Sequence, residues 1–159
     1  MRNATLLFLI KKSDGKISDI CLAMKKRGFG AGRWNGFGGK ISEGETIEEA
    51  TIRETKEECG VEVNKLNKVG EIDFNFPHNA DWNQMVHVYL SENWIGEPAE
   101  SEEMKPEWFS VSEIPFTEMW PADVFWIPKV LDEELIKAKI VFGEKDAILD
   151  KEIEIVKSL

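Results

Sequence analysis

Glu54, Glu57 and Glu58 stand three and four positions apart in a run of good helix formers. A helix there places all three carboxylates on one face. Crowded carboxylates repel one another unless a cation sits among them, and an all-oxygen cluster suits a hard divalent ion, Mg²⁺ or Mn²⁺ in its place. A merely solvated acidic face has the same composition, and the residue types alone leave both readings open. Arg53 lies four positions before Glu57 and can orient it through a charge-assisted hydrogen bond. Upstream, Gly28, Gly30, Gly32, Gly36, Gly38 and Gly39 fall within twelve positions. That density implies tight turns or a backbone approached closely by a ligand.

The elements that must hold these groups can be read in outline. Thr46 followed three residues later by Glu49 is a capping box, and Gly60 sits where a C-terminal glycine stop belongs, so a helix is expected over 46–59. Ile47, Ala50 and the aliphatic part of Thr51 supply its buried stripe. Residues 4–12 and 19–25 read as a hairpin around the turn at 13–16, followed by strands near 68–76, 85–93 and 106–110. A second helix is expected from Pro121 to Leu131, with Pro128 kinking or dividing it. Residues 137–142 and 147–156 suggest a terminal hairpin. Grouped strands with two principal helices favour an α+β fold.

At 159 residues the chain has the size of one domain, expected to span 1–159. Its formal net charge of −10 argues against a nucleic-acid polymer as partner. Residues 1–40 nevertheless carry nine basic and two acidic side chains, a balance of +7, which leaves −17 for the rest. Cys21 and Cys59 form neither a disulfide framework nor a zinc pattern, as expected for reduced thiols in a cytoplasmic protein. The apolar run at 6–10 is too short for a membrane span, so no membrane partner is expected. No long heptad or apolar stripe appears, which favours a monomer.

Gly39, Glu45, Arg53, Glu54, Glu57, Glu58, Gly60 and Val61 stand at the spacing G-x5-E-x7-R-E-x-x-E-E-x-G-V. This resembles the Nudix box of the MutT-like hydrolases, a far more specific signal than an acidic helix face. The similarity continues through 24–40, 114–116, 119–121 and 147–150, where the chain resembles the oxidised-purine nucleoside triphosphatases of animals. It implies the Nudix fold, a mixed β-sheet core sandwiched between helices. Thr55 departs from the pattern, standing where the family usually has an aliphatic residue, a change that bears on packing of the helix.

The resemblance also implies a site. Metal ligands fall on Glu54, Glu57, Glu58, the Gly38 carbonyl and Glu103, with Arg53 in the catalytic group and Glu57 or Glu58 as general base. The implied cofactor is Mg²⁺, with Mn²⁺ a substitute, and the implied substrate is a small nucleotide. Its binding residues map to Thr5, Lys25, Phe29, Asn35, Phe37, Gly38, Gly39, Lys40, Phe74, Trp120, Pro121 and Asp123. Trp120 can stack on a purine, and Asn35 offers both a donor and an acceptor to its edge. Of Phe74 and Phe76, one is expected in the core, together with Trp34 and Trp108. Lys25, Lys26 and Arg27 are either a solvated turn or cationic neighbours for a triphosphate. Close relatives carry two consecutive acids after Trp-Pro, whereas this chain has Ala122 and Asp123, which predicts a narrower or shifted substrate range. The loop at 77–83 also differs, leaving Gln84 and Met85 as candidate pocket residues.

The implied reaction is hydrolysis of an 8-oxo-dGTP-type triphosphate to the monophosphate and pyrophosphate, cleansing the nucleotide pool. Two rivals are a Nudix pyrophosphohydrolase for another nucleoside triphosphate or dinucleoside polyphosphate, and a Nudix module that senses nucleotides without turning them over.

Overall fold

A computed structural model describes residues 2–159. The apolar run near the start forms β1 (Arg2–Ser13), which turns through Asp14 and Gly15 into β2 (Lys16–Lys25). Side chains alternate along β1. Leu6, Phe8 and Ile10 enter one buried cluster, and Leu7 and Leu9 enter another. A strand buried on both faces needs a layer on each side.

One layer is α1 (Ile47–Cys59), opened by the full capping box of Thr46 and Glu49 and closed by Gly60 in the left-handed conformation. It buries Ala50, Thr51, Thr55, Glu58 and Cys59, and half-buried Ile47 packs against the same cluster. Thr55 fits this apolar environment because its hydroxyl donates to the Thr51 carbonyl at 2.8 Å. The other layer is α2 (Asp123–Leu131), which buries Trp126, Ile127 and Val130. Pro128 lies inside α2 without dividing it, and residues 121–122 precede the helix.

The sheet is mixed. β1 runs parallel to β6 (Gln84–Ser91), and β5 (Asn67–Asn75) runs antiparallel to β6 and parallel to β9 (Leu135–Phe142). β10 (Ile148–Val156) closes the terminal hairpin against β9. On the other side β2 pairs with β1, the short β3 (Trp34–Asn35) and β8 (Met104–Ser110). Two further short strands, β4 (Glu62–Val63) and β7 (Trp94–Ile95), form a separate ribbon. Two-residue strands such as β3, β4 and β7 carry no periodicity that could reveal them in the sequence. Among the described residues, no helix is long and apolar enough to cross a membrane.

Candidate active site

The glycine-rich segment runs antiparallel beside β1, bridged at Leu7–Phe37 and Ala4–Lys40, with almost no space between the backbones. Phe37 N–H donates to the Leu7 carbonyl at 2.8 Å, and Thr5 N–H donates to the Gly39 carbonyl at 2.9 Å. A Cβ on Gly38 would lie 1.8 Å from the Thr5 carbonyl oxygen, and one on Gly39 would lie 2.7 Å from Glu54 Cδ. Glycine is therefore required at 38, where the clash is with backbone, whereas at 39 a methyl group would displace the Glu54 carboxylate.

That pairing brings the segment to α1. Gly38 N–H donates to Glu58 Oε1 at 2.8 Å. Arg53 is the hub of the remaining carboxylates: its Nε and Nη2 donate to Glu45 at 2.6 and 2.9 Å, and Nη1 reaches Glu54 at 2.9 Å and Glu57 at 3.2 Å. This ion pairing holds the Glu45 carboxyl down at about 2, helped by Ser42 N–H. Burial pushes Glu58 up to about 8, against the pull of Gly38 N–H, and the Glu54 and Glu103 carboxylates push the same way. Burial also raises Glu54, with Glu57 and Glu103 adding to the shift and Arg53 opposing it. Glu103 thus lies close enough to act electrostatically on the helix carboxylates from a different loop.

Among the described residues, no three of these carboxylates converge on one point: Glu54 and Glu57 turn toward Arg53, and Glu58 toward Gly38. Their chemistry still fits a divalent cation. The donors are all oxygen, Glu54 and Glu58 are withdrawn from water while Glu57 and Glu103 are exposed, and their mutual repulsion is relieved by positive charge.

A cavity of about 500 Å³ runs from Glu58 to the aromatic side chains above α2, a volume typical of small-molecule sites. It is lined by Thr5, Lys25, Phe29, Asn35, Gly38, Gly39, Lys40, Phe74, Trp120 and Asp123, all expected from the sequence. Trp120 and Phe29 lie 5.1 Å apart between ring centroids, tilted by 37°. Asp123 is buried, and its Oδ1 accepts from the Trp126 indole N–H at 3.1 Å. Its Oδ2 finds no hydrogen-bond partner among the described residues. Burial lifts this carboxyl to about 7, although the Trp126 indole N–H, the Trp120 backbone and the Arg33 charge all favour ionisation. Ala122 is fully buried beside it.

Several expectations are corrected. Phe37 lies outside the cavity: it is fully buried in the α1-side cluster, because its bridge to Leu7 turns it to the Leu7 face of the sheet. Pro121 also lies outside the lining and leads into α2. Phe76 is in the core, as expected of one member of the pair, and it also lines the cavity beside Phe74, since residues two apart along an extended backbone share a face. Trp34 and Trp108 are only half-buried, packed against the two clusters. Gln84 lines the cavity, whereas Met85, one step along β6, does not. Lys26 pairs with Glu100, and Arg27 lies 3.6 and 3.7 Å from Glu102 and Glu103. Much of the basic turn is thus answered by acids of this chain, and Lys25 is its member at the cavity.

The sequence reading missed Trp82, Phe142 and Trp126 as lining residues. Trp126 had a local signal, three positions after Asp123 on one helix. Phe142 had none, because the parallel pairing of β9 with β5 brings it to the site, and Trp82 is carried there by the short turn between β5 and β6.

A model of the NUDIX domain matches residues 1–130. The chain belongs to the Nudix family. Oxidized purine nucleoside triphosphate hydrolases from Danio rerio and Mus musculus are 45% and 46% identical to it, over 88% and 87% of this chain and 89% and 88% of theirs. The Nudix fold is matched across 97% of this chain and 98% of a mutator MutT protein structure from Bacillus halodurans, at TM-score 0.83 and 22% identity.

Proposed function

We propose that this Nudix protein hydrolyses oxidised purine nucleoside triphosphates of the 8-oxo-dGTP type to the monophosphate and pyrophosphate. In this reading it acts as a cytoplasmic monomer on free nucleotides. The observation that carries the reading is that one cavity is lined both by Asn35, Trp120 and Asp123 and by Glu58, Gly38, Gly39, Lys25 and Lys40. The first group suits a purine, and the second suits the phosphates. Its extensive identity to the fish and mouse oxidized purine nucleoside triphosphate hydrolases supports the same substrate class.

Glu54, Glu57, Glu58, Glu103 and the Gly38 carbonyl would hold divalent metal, Mg²⁺ in our reading and Mn²⁺ as its substitute. When bound, the metal neutralises phosphate charge and polarises the phosphoryl oxygens. Arg53 orients Glu54 and Glu57 while Glu45 fixes Arg53. Glu57 or Glu58 takes the proton from the attacking water. Trp120 stacks on the base, Asn35 presents its amide to the purine edge, and the Asp123 carboxyl donates or accepts according to its protonation.

A panel of canonical and damaged nucleotides, scored by released pyrophosphate with Mg²⁺, tests the reading. We expect 8-oxo-dGTP to be hydrolysed well. With Ala122 in place of an acid, kcat/KM should fall for some of 2-oxo-dATP and O6-methyl-dGTP. Equal, high values for all three would refute the narrowing, and dGTP turned over far faster than 8-oxo-dGTP would refute the sanitising role. Glu57→Gln should lose most turnover while still binding the base; a nucleotide sensor would have no turnover to lose.

A further inference from the structure

Trp120 is braced by a residue outside the cavity. The Arg33 guanidinium lies over the indole, 4.2 Å from the ring centroid. Trp120 lines the cavity and Arg33 does not, so the guanidinium packs on the indole from outside the ligand space. Arg33 is held at its other end, where Nη1 donates to Asp146 Oδ2 at 2.8 Å. Both side chains are about three-quarters withdrawn from solvent, at 27% and 24% exposure, so water competes weakly for this ion pair.

Asp146 comes from the turn between β9 and β10, beyond the region matched by the family model. Lys145 and Asp146 there adopt φ of 57° and 59°. Two successive non-glycine residues in the left-handed region are unfavourable and persist where surrounding contacts hold them. The ion pair to Arg33 is one such contact. Arg33 itself is fixed through its backbone: its N–H donates to the Gly30 carbonyl at 3.3 Å, and its carbonyl accepts from Lys25 N–H at 3.1 Å. Two residues later the same segment supplies Asn35 to the cavity.

We propose that Arg33 and Asp146 are a positioning pair that sets Trp120 as the stacking wall for the purine, making the terminal hairpin part of the specificity machinery. The proposal rests on the function proposed above. A guanidinium is suited to the task because it stacks flat on an aromatic face while its nitrogens bind a carboxylate in the guanidinium plane. An indole fixed from outside the cavity presents one preset surface to an incoming base, so less freedom is lost on binding. None of this touches the phosphates, so the pair should act on KM and leave kcat alone.

The test is steady-state hydrolysis of 8-oxo-dGTP by the full chain and by Arg33→Ala, Arg33→Lys, Asp146→Asn and the Arg33→Ala/Asp146→Asn double variant, with a melting curve for each. Arg33→Ala should raise KM about 2- to 12-fold, the cost of ordering one freed side chain on binding, with kcat within about twofold of wild type. Asp146→Asn, nearly isosteric, should move KM the same way by less. The double variant should be no worse than Arg33→Ala, because the carboxylate acts only through the guanidinium. Arg33→Lys should recover only part of the loss, since an ammonium lacks the planar fork. If Arg33→Ala melts far below wild type, Asp146→Asn and Arg33→Lys decide the matter. Unchanged KM in folded variants, loss confined to kcat, or additive effects in the double variant would overturn the positioning pair alone. A wild-type chain inactive on every oxidised purine nucleotide would overturn the proposed function and this inference with it.

Discussion

Asp123→Asn removes one ionisation with little change of volume, and its effect on stability can be worked from the site. The carboxyl has an ordinary value of 3.8 and is lifted to about 7, chiefly by burial. Between those values the folded protein keeps a proton that the unfolded chain has released. Stability therefore falls as pH rises from about 4 to about 7 and levels off above. The interval is about three pH units, and at 1.36 kcal/mol per unit the loss is about 4 kcal/mol. The asparagine variant lacks this slope. It can carry a constant offset from placing an amide where Asp123 Oδ2 has no partner, but a constant offset does not change with pH. Urea unfolding of both proteins from pH 4 to 8 measures the difference, in which all other titrations cancel. With a slope of about 2 kcal/mol per molar urea, the gap between midpoints should shift by about 2 M in favour of Asn. A gap that stays level across this range would refute the assignment of a buried, proton-holding Asp123.

The metal end and the helix start give further outcomes. Gly39→Ala puts a methyl group 2.7 Å from Glu54 Cδ; the carboxylate must swing aside, and kcat should fall at least about tenfold with a small change in Tm. Gly38→Ala meets the Thr5 backbone at 1.8 Å, where nothing flexible can yield, so expression of folded protein should fail by circular dichroism and gel filtration. Thr46→Ala breaks the capping box of α1. It should cost about 1 kcal/mol, a fall of roughly 2–4 °C in Tm, with near-normal activity in the folded enzyme.

What could be read in the sequence was local. The capping box and Gly60 delimit α1 because the signals lie within one turn of each helix end. The Glu54, Glu57 and Glu58 face follows from helical spacing, and the box pattern led to the family. What could not be read depends on partners distant in sequence. Phe142 reaches the cavity because β9 pairs in parallel with β5, and Phe142 stacks on Phe76 at 5.3 Å. Phe37 looked like a pocket residue between Gly36 and Gly38, but its side of the sheet is set by the bridge to Leu7. The charge of Lys26 and Arg27 looked available until the loop carrying Glu100, Glu102 and Glu103 was folded against it.

The two groups of cavity residues differ in how much rebuilding they tolerate. Around the phosphates the shape is written in main chain, where Gly36 and Gly38 pass so close to β1 that no side chain at either position has a place to go. Around the base it is written in side chains: Phe29, Trp82, Gln84 and the neighbours of Ala122. A directed-evolution library would therefore find new substrates by varying the second set and would find mostly unfolded protein by varying the first. The scaffold separates the question of which nucleotide is accepted from the question of how its phosphates are handled, and a new nucleobase preference can be installed without re-engineering the hydrolytic step.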